Sequence, residues 1–191
     1  MKKVFILLFV SLIFSCSANY NSSSSFSEQS SSSISSSAEL EKELLIEFDN
    51  NKSAIDLSEN QDESQKVKNL FGDYLLSMKC SKVYEDLGYI KLGSGSSSGK
   101  WELNFNYPLI KIDFELKNYT KAYQNTVQKD KPVFLVNNNN LELDFNQESD
   151  VFKTYSFSFT KEEKQVVLES KPFDSESKGR TLIKSIKLFF K

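Results

Sequence analysis

Apolar side chains recur at every second position over most of the chain beyond residue 100. Trp101, Leu103, Phe105 and Tyr107 alternate with Glu102, Asn104 and Asn106. Ile110, Ile112, Phe114 and Leu116 alternate with Lys111, Asp113, Glu115 and Lys117. A period of two sends one set inward and leaves the other in water, which predicts half-buried strands. Leu141, Leu143 and Phe145 repeat the pattern, as do Tyr155, Phe157 and Phe159, and Val166 to Leu168 and Thr181 to Phe190 complete it. Pro132 opens a short run from Val133 to Val136, and the four asparagines Asn137 to Asn140 predict a turn, because Asn tolerates left-handed backbone geometry.

Upstream the pattern is more varied. Leu44 to Phe48 reads as a first strand and Asn50 to Ser64 as a polar loop. Val67, Leu70, Phe71, Tyr74 and Leu75 fall at helical spacing and predict one short helix near residues 64–75, against which Gly72 counts. Leu76, Met78, Cys80 and Tyr84 share one face of a strand, Gly88 to Gly93 forms another, and Ser94 to Gly99 is a polar turn. About ten strands with one-sided alternation predict a mainly β protein. Its expected architecture is an antiparallel β-sandwich or jelly roll, with the helix as an accessory.

The first 37 residues do not fit that domain. Two lysines precede Val4 to Ser15, twelve uncharged and mostly apolar residues, too short to span a bilayer. This is the pattern of a secretory signal peptide over residues 1–15. Ile13-Phe14-Ser15-Cys16 resembles the bacterial lipobox, with an aliphatic residue three positions before a cysteine and a small one just before it. The resemblance implies a diacylglyceryl group on the Cys16 thiol, cleavage before Cys16, and a domain exported and moored on the outer side of the bacterial cell membrane. An ordinary cleavage near Ser17-Ala18, with Cys16 incidental, and a retained anchor are the other readings. Residues 17–37 hold thirteen serines and only Tyr20, Phe26 and Ile34 as sizeable apolar groups. Such a segment cannot offset its ordering entropy by burial. Residues 16–37 are therefore expected to form a lipidated tether with a span of roughly 25 Å, and residues 38–191 the folded domain.

Composition narrows the function. The chain has 24 basic and 26 acidic residues and a net charge of −2, not the basic excess of a nucleic-acid binder. It contains no His, which removes the usual general base, the Ser-His and Cys-His systems and most catalytic zinc sites. With Cys16 acylated, Cys80 is the one remaining thiol, expected to serve as a small buried hydrophobe. Gly93-Ser94-Gly95 lacks the third glycine of a phosphate loop and precedes a strand. Glu102, Asp113, Glu115, Glu142 and Asp144 are the carboxylates a glycosidase would draw on, but all occupy the polar phase of strands and read as a solvated face. Asp49, Asp56 and Asp174 could contribute to a calcium site, yet no loop has ligand spacing, so no metal or cofactor is expected.

A second resemblance covers residues 43–191. A Gly/Ser turn with Lys91-Leu92-Gly93-Ser94 and Gly99-Lys100 leads into two alternating strands ending near Lys117-Asn118-Tyr119. A Val-Asn hairpin follows, and the chain closes with Gly179-Arg180-Thr181-Leu182. This is similar to the galactose-binding-like β-sandwich modules of surface proteins in low-GC Gram-positive bacteria and mollicutes. It implies a jelly roll that binds glycan. On the residues themselves, Tyr89, Tyr119 and Tyr123 lie near strand ends or loops beside Asn118 and Gln124, as sugar-stacking rings would, and tyrosines capping the core would lie there too. Arg180 is a candidate loop ligand, or a partner for Asp174 or Glu176. Trp101 is in phase with the core. The expected function is non-enzymatic recognition of a glycan or a surface protein through loops at one end of the sandwich. A structural envelope lipoprotein and a carboxylate-dependent glycoside hydrolase are the alternatives.

Overall fold

The structure is a computed structural model and describes residues 42–48, 54–86, 88–95, 97–123, 126–144 and 151–191, with the backbone alone over residues 121–123 and 126–129. Cys16, the serine tether, Asp49 and Phe145 lie outside the described residues. In chain order the elements are β1 (Lys42–Glu47), β2 (Ile55–Asp56), α1 (Gln61–Leu70), β3 (Leu75–Ser81), β4 (Val83–Asp86), β5 (Tyr89–Leu92) and β6 (Gly99–Asn118). Then come β7 (Thr120–Tyr123), β8 (Thr126–Lys129), β9 (Pro132–Val136), β10 (Asn139–Leu141), β11 (Lys153–Pro172) and β12 (Thr181–Phe190). Ten strands form one antiparallel sheet in the order β10-β9-β11-β6-β12-β5-β4-β2, with β1 beside β12 and β3 beside β6, while β7 and β8 form a separate hairpin. Among the described residues no helix is long and apolar enough to cross a membrane.

The two alternating runs after Trp101 are one twenty-residue strand, β6, bent in the middle. Its first half pairs with β3 and the end of β11, its second with β12 and the start of β11. At the bend Leu109 faces Phe190 and Lys111 faces Phe189, so Ile110 is an extra residue. Opposite it, Ser158 pairs with Lys111 and Glu163 with Leu109, leaving Phe159 to Glu162 as a larger bulge in β11. Bulges bend strands and shift side-chain parity. Trp101, Leu103, Phe105 and Leu109 are therefore buried before the bend, and Ile112, Phe114 and Leu116 after it. Ile110, expected in the core, is the half-buried pivot, and Tyr107 is 39% exposed.

The bend curls the sheet so that its inner face meets itself. Phe48, following β1, packs on Trp101 with ring centroids 6.3 Å apart, Phe114 on Phe134 at 5.6 Å and Phe105 on Phe190 at 5.7 Å. The expected mainly β, sandwich-like antiparallel fold is present, and its two facing layers belong to a single curled sheet. Each fully buried Phe or Leu contributes about 2 kcal/mol relative to an exposed one.

Several local expectations need correction. The helix starts three residues earlier and ends five residues earlier than its apolar spacing suggests. Asn60 caps it by accepting the Glu63 amide at 3.1 Å, and it ends at Leu70, just before Gly72 takes φ +55°. Val67 and Phe71 are buried, but Leu70 faces solvent and Leu75 already belongs to β3. Leu76 is 61% exposed because the register shifts between Leu75 and Ser77. Tyr84 is not in that strand at all, since Lys82 at φ +53° separates β3 from β4. Met78 and Cys80 do pack on the core, and burial pushes the Cys80 thiol up to about 12. Leu143 packs on the core beyond the end of β10, and Tyr155, Phe157 and Phe159 are half-buried along β11.

Asn137 and Asn138 take φ +48° and +65°, closing a two-residue turn between β9 and β10 with Val136 opposite Asn139. Asn137 also finishes the edge of β11. Its Oδ1 accepts the Val167 amide at 2.7 Å and its Nδ2 donates to the Gln165 carbonyl at 3.2 Å.

Gly179 sits where the chain returns to β12 against the end of β11. A Cβ there would lie 2.0 Å from the Pro172 nitrogen and 2.1 Å from the Lys171 carbonyl carbon. Both are backbone atoms, so the two segments must separate to admit it. Gly179→Ala is expected to lower the unfolding free energy by roughly 3 kcal/mol, read as a drop in urea midpoint. An unchanged midpoint would contradict the close approach.

Candidate functional site

The outer face of the sheet carries the chemistry. On β4, β5, β12 and β6 the residues Val83, Ile90, Leu92, Ile183 and Leu116 point into the core, so their neighbours point outward. Pairing aligns Tyr84 with Lys91, Lys91 with Leu182, and Leu182 with Lys117 in one row across the four strands. The Lys91 amine lies 2.9 Å from Asp86, 4.8 Å from the Tyr84 ring centroid and 5.5 Å from that of Tyr119. The Lys117 amine lies 4.8 Å over Phe152 and 5.8 Å over Tyr89, and those two rings stack with centroids 4.9 Å apart. Cations over ring faces are attracted by the ring quadrupole.

At the end of this row Tyr119, Asp130 and Arg180 lock three separate segments together. The Tyr119 amide donates to the Arg180 carbonyl at 3.0 Å, and the Asp130 amide donates to the Tyr119 carbonyl at 3.1 Å. The Arg180 amide donates to the Asp130 carboxylate at 3.2 Å, which closes the ring. The guanidinium makes a fork on the same carboxylate, with Nη2 donating to Oδ1 at 2.9 Å and Nε to Oδ2 at 2.5 Å. Its carbon lies 4.1 Å from the Tyr119 ring centroid. The Asp130 side chain is wholly buried, and its hydrogen bond raises the already high Arg180 pKa further. Arg180 therefore pairs with neither Asp174 nor Glu176. Asp174 caps its own turn, accepting the Ser177 amide at 2.6 Å and the Glu176 amide at 3.0 Å, and the Ser177 bond leads the causes that lower its pKa.

At Glu115, two residues along the same face of β6 from the Lys117 that covers the Tyr89–Phe152 pair, the outer face dips into a shallow groove of about 320 Å³. Glu47, Glu115, Thr154, Lys184, Ser185 and Lys187 line it. A register shift between Ile183 and Ser185 leaves Lys184 as an extra residue, so both it and Ser185 reach the groove. Lys184 meets Glu115 at 2.9 Å and Ser185 donates to the same carboxylate at 3.0 Å. The Lys184 bond, ahead of the others, holds Glu115 below the usual carboxylate range, and Glu115 in turn raises Lys184. The groove thus offers a fixed carboxylate, a hydroxyl and amines beside an aromatic surface, suited to hydrogen bonding a polyhydroxyl ligand.

Three sequence-predicted residues, Tyr89, Tyr119 and Arg180, fall on this face. Tyr123 lies in β7, with its side chain outside the described residues. Arg180 is committed to Asp130 and sits on Tyr119, so this Tyr–Arg pair braces the site instead of offering a free ring. Of the five carboxylates, Glu102 pairs with Lys100 at 2.9 Å, Asp113 with Lys111 at 3.0 Å and Asp144 with Lys153 at 2.8 Å, alongside Glu115 with Lys184, while Glu142 is exposed. Asp56 caps the turn that follows it by accepting the Ser58 amide at 2.9 Å. Among the described residues no three acidic or cysteine side chains converge as metal ligands. Asp130, Lys184, Ser185 and Phe152 escaped the sequence reading. Asp130 stands between two lysines in a run with no apolar period, and nothing local distinguishes it.

No family model, no curated protein and no solved structure matches this chain.

Removing Asp130 leaves a largely buried guanidinium without its counter-charge. Asp130→Ala is expected to cost about 3 kcal/mol of stability, and Arg180→Met in the same chain to recover much of it. A loss in the double variant equal to the sum of the Asp130→Ala and Arg180→Met losses in denaturant titrations would show that the pair is not coupled.

Proposed function

We propose that this chain is a non-catalytic surface lipoprotein, moored through an acylated Cys16, that binds a glycan across the outer face of its sheet. The observation carrying the reading is the groove beside the Tyr89–Phe152 pair. It sets an aromatic surface next to a carboxylate already oriented by Lys184 and Ser185. Sugars present apolar C–H faces and paired hydroxyls, and such a combination meets both. The mainly β fold is of the kind on which the resemblance to galactose-binding-like modules rests. The site differs from the expected loop cluster, lying on the strands themselves.

Charge argues for binding over hydrolysis. A glycosidase acid needs a carboxyl pKa raised toward neutrality. Glu102 and Glu115 are instead lowered, each chiefly by a lysine hydrogen bond. Those lysines leave the carboxylates ionised, as hydrogen-bond acceptors for hydroxyls.

The full chain, made in a lipoprotein-processing bacterium and extracted in mild detergent, is expected to retain one class of sugar on a glycan array. Glu115→Gln or Tyr89→Ala should weaken that binding about tenfold, the loss of one good hydrogen bond or stacking contact, with unfolding midpoints near wild type. Capture of a protein partner with no sugar retained would favour a structural docking role. Radiolabelled palmitate should enter the wild-type chain and be absent from Cys16→Ala, which should leave the membrane fraction. Label retained by Cys16→Ala would overturn the anchoring.

A further inference from the structure

We infer that the first half of β11 pairs edge to edge with the same strand of a second copy, making a two-fold symmetric dimer with a continuous sheet. β11 has two edges. Along Lys153–Ser158 one of them is bound to β6, while β9 covers the other only from Leu168 to Pro172. Asn137 takes the edge groups at Gln165 and Val167, as described above. Among the described residues no strand pairs with that second edge between Lys153 and Lys164.

Among the described residues the other edges of the ten-stranded sheet are guarded. β2 and β10 are two and three residues long, β1 carries Lys42, Glu43 and Glu47, and β3 carries Lys79 beside a bulge. Short length, charge and irregularity are the usual devices against unwanted pairing. Thr154 to Ser158 has none of them, the bulge in β11 beginning only at Phe159, and the stretch to Thr160 is neutral, free of Pro and Gly, and rich in strand formers.

The sequence also identifies the occupant. Thr154-Tyr155-Ser156-Phe157-Ser158-Phe159-Thr160 is a near-palindrome centred on Phe157. An isologous contact brings residue i of one subunit against residue j of the other and j against i. Antiparallel pairing about Phe157 sets Phe157 on Phe157, Tyr155 on Phe159, Ser156 on Ser158 and Thr154 on Thr160. Aromatic pairs then fall on the inner face and hydroxyl pairs on the outer, the cross-strand combinations that stabilise sheets. The half-buried Tyr155, Phe157 and Phe159 would each gain cover.

Charge at the ends is compensated. The same register places Lys153 of one subunit opposite Lys161 of the other. Lys153 already meets Asp144 at 2.8 Å and Lys161 meets Glu163 at 3.5 Å. Each end of the interface is therefore a neutral quartet of two amines and two carboxylates, in which either lysine can also reach the carboxylate across the contact.

The test introduces charge at exposed positions that carry no core contact. The full chain in detergent is expected to sediment as a dimer. Ser156→Lys with Ser158→Lys sets lysines opposite each other twice and should raise the dissociation constant at least about tenfold. Ser156→Glu with Ser158→Glu should do the same, and mixing the two variants should restore a dimer. The common anchor makes micelle-driven association identical in all three, so it cannot mimic this pattern. A monomeric wild type, open-ended oligomers, or charge variants as dimeric as wild type would each overturn the inference. If either charged variant fails to fold, a chain with Ser156→Cys mixed with one carrying Ser158→Cys should form a disulfide-linked heterodimer under mild oxidation. Its absence would overturn the inference equally.

Discussion

The bend shared by β6 and β11 is the constraint on which the rest of the molecule depends. A flat sheet of these strands would bury nothing on its inner face. Ile110 and the Phe159–Glu162 bulge break the ladder at the same level, and the sheet folds there. Trp101 then meets Phe48, and Phe105 meets Phe190, across a core that neither half could close alone. The parity shift across Ile110 keeps apolar side chains inside on both sides of the fold. Without it, Ile112, Phe114 and Leu116 would face water.

The same bend explains what alternation could and could not reveal. Strand identity was legible because each half of β6 keeps a strict period of two. That the halves are one strand was not, since a one-residue parity slip reads equally well as a turn. Ile110 looked like a core residue because it follows the phase of Ile112. Leu76 misled for a related reason, as a bulge in β3 removed it from the phase of Met78 and Cys80. The helix was found but displaced, because its capping residue, Asn60, lies outside its apolar period. The turn at Asn137 and Asn138 was plain, since left-handed geometry has few tolerant residues.

The site was less legible than the fold. Tyr89, Tyr119 and Arg180 were singled out as loop residues; Tyr119 and Arg180 sit together because β6 and β12 run side by side, while Tyr89, at the far end of β5, meets Phe152. That adjacency is a matter of topology. The most consequential partner, Asp130, is separated from Arg180 by fifty residues and joined to it by hydrogen bonds that no local pattern announces. The groove is likewise made by a register shift in β12, visible only once pairing is known.

β12 is the final strand of the sheet in sequence, yet it lies at the centre, against β6 along one edge and against β5 and β1 along the other. A nascent chain that has delivered β6 and β11 but not Thr181 to Phe190 lacks the strand that joins the two sides of the sheet. Closure must wait for contacts of long sequence separation, which slows folding. Until translation has passed residue 190 the two sides of the sheet have no strand to close on.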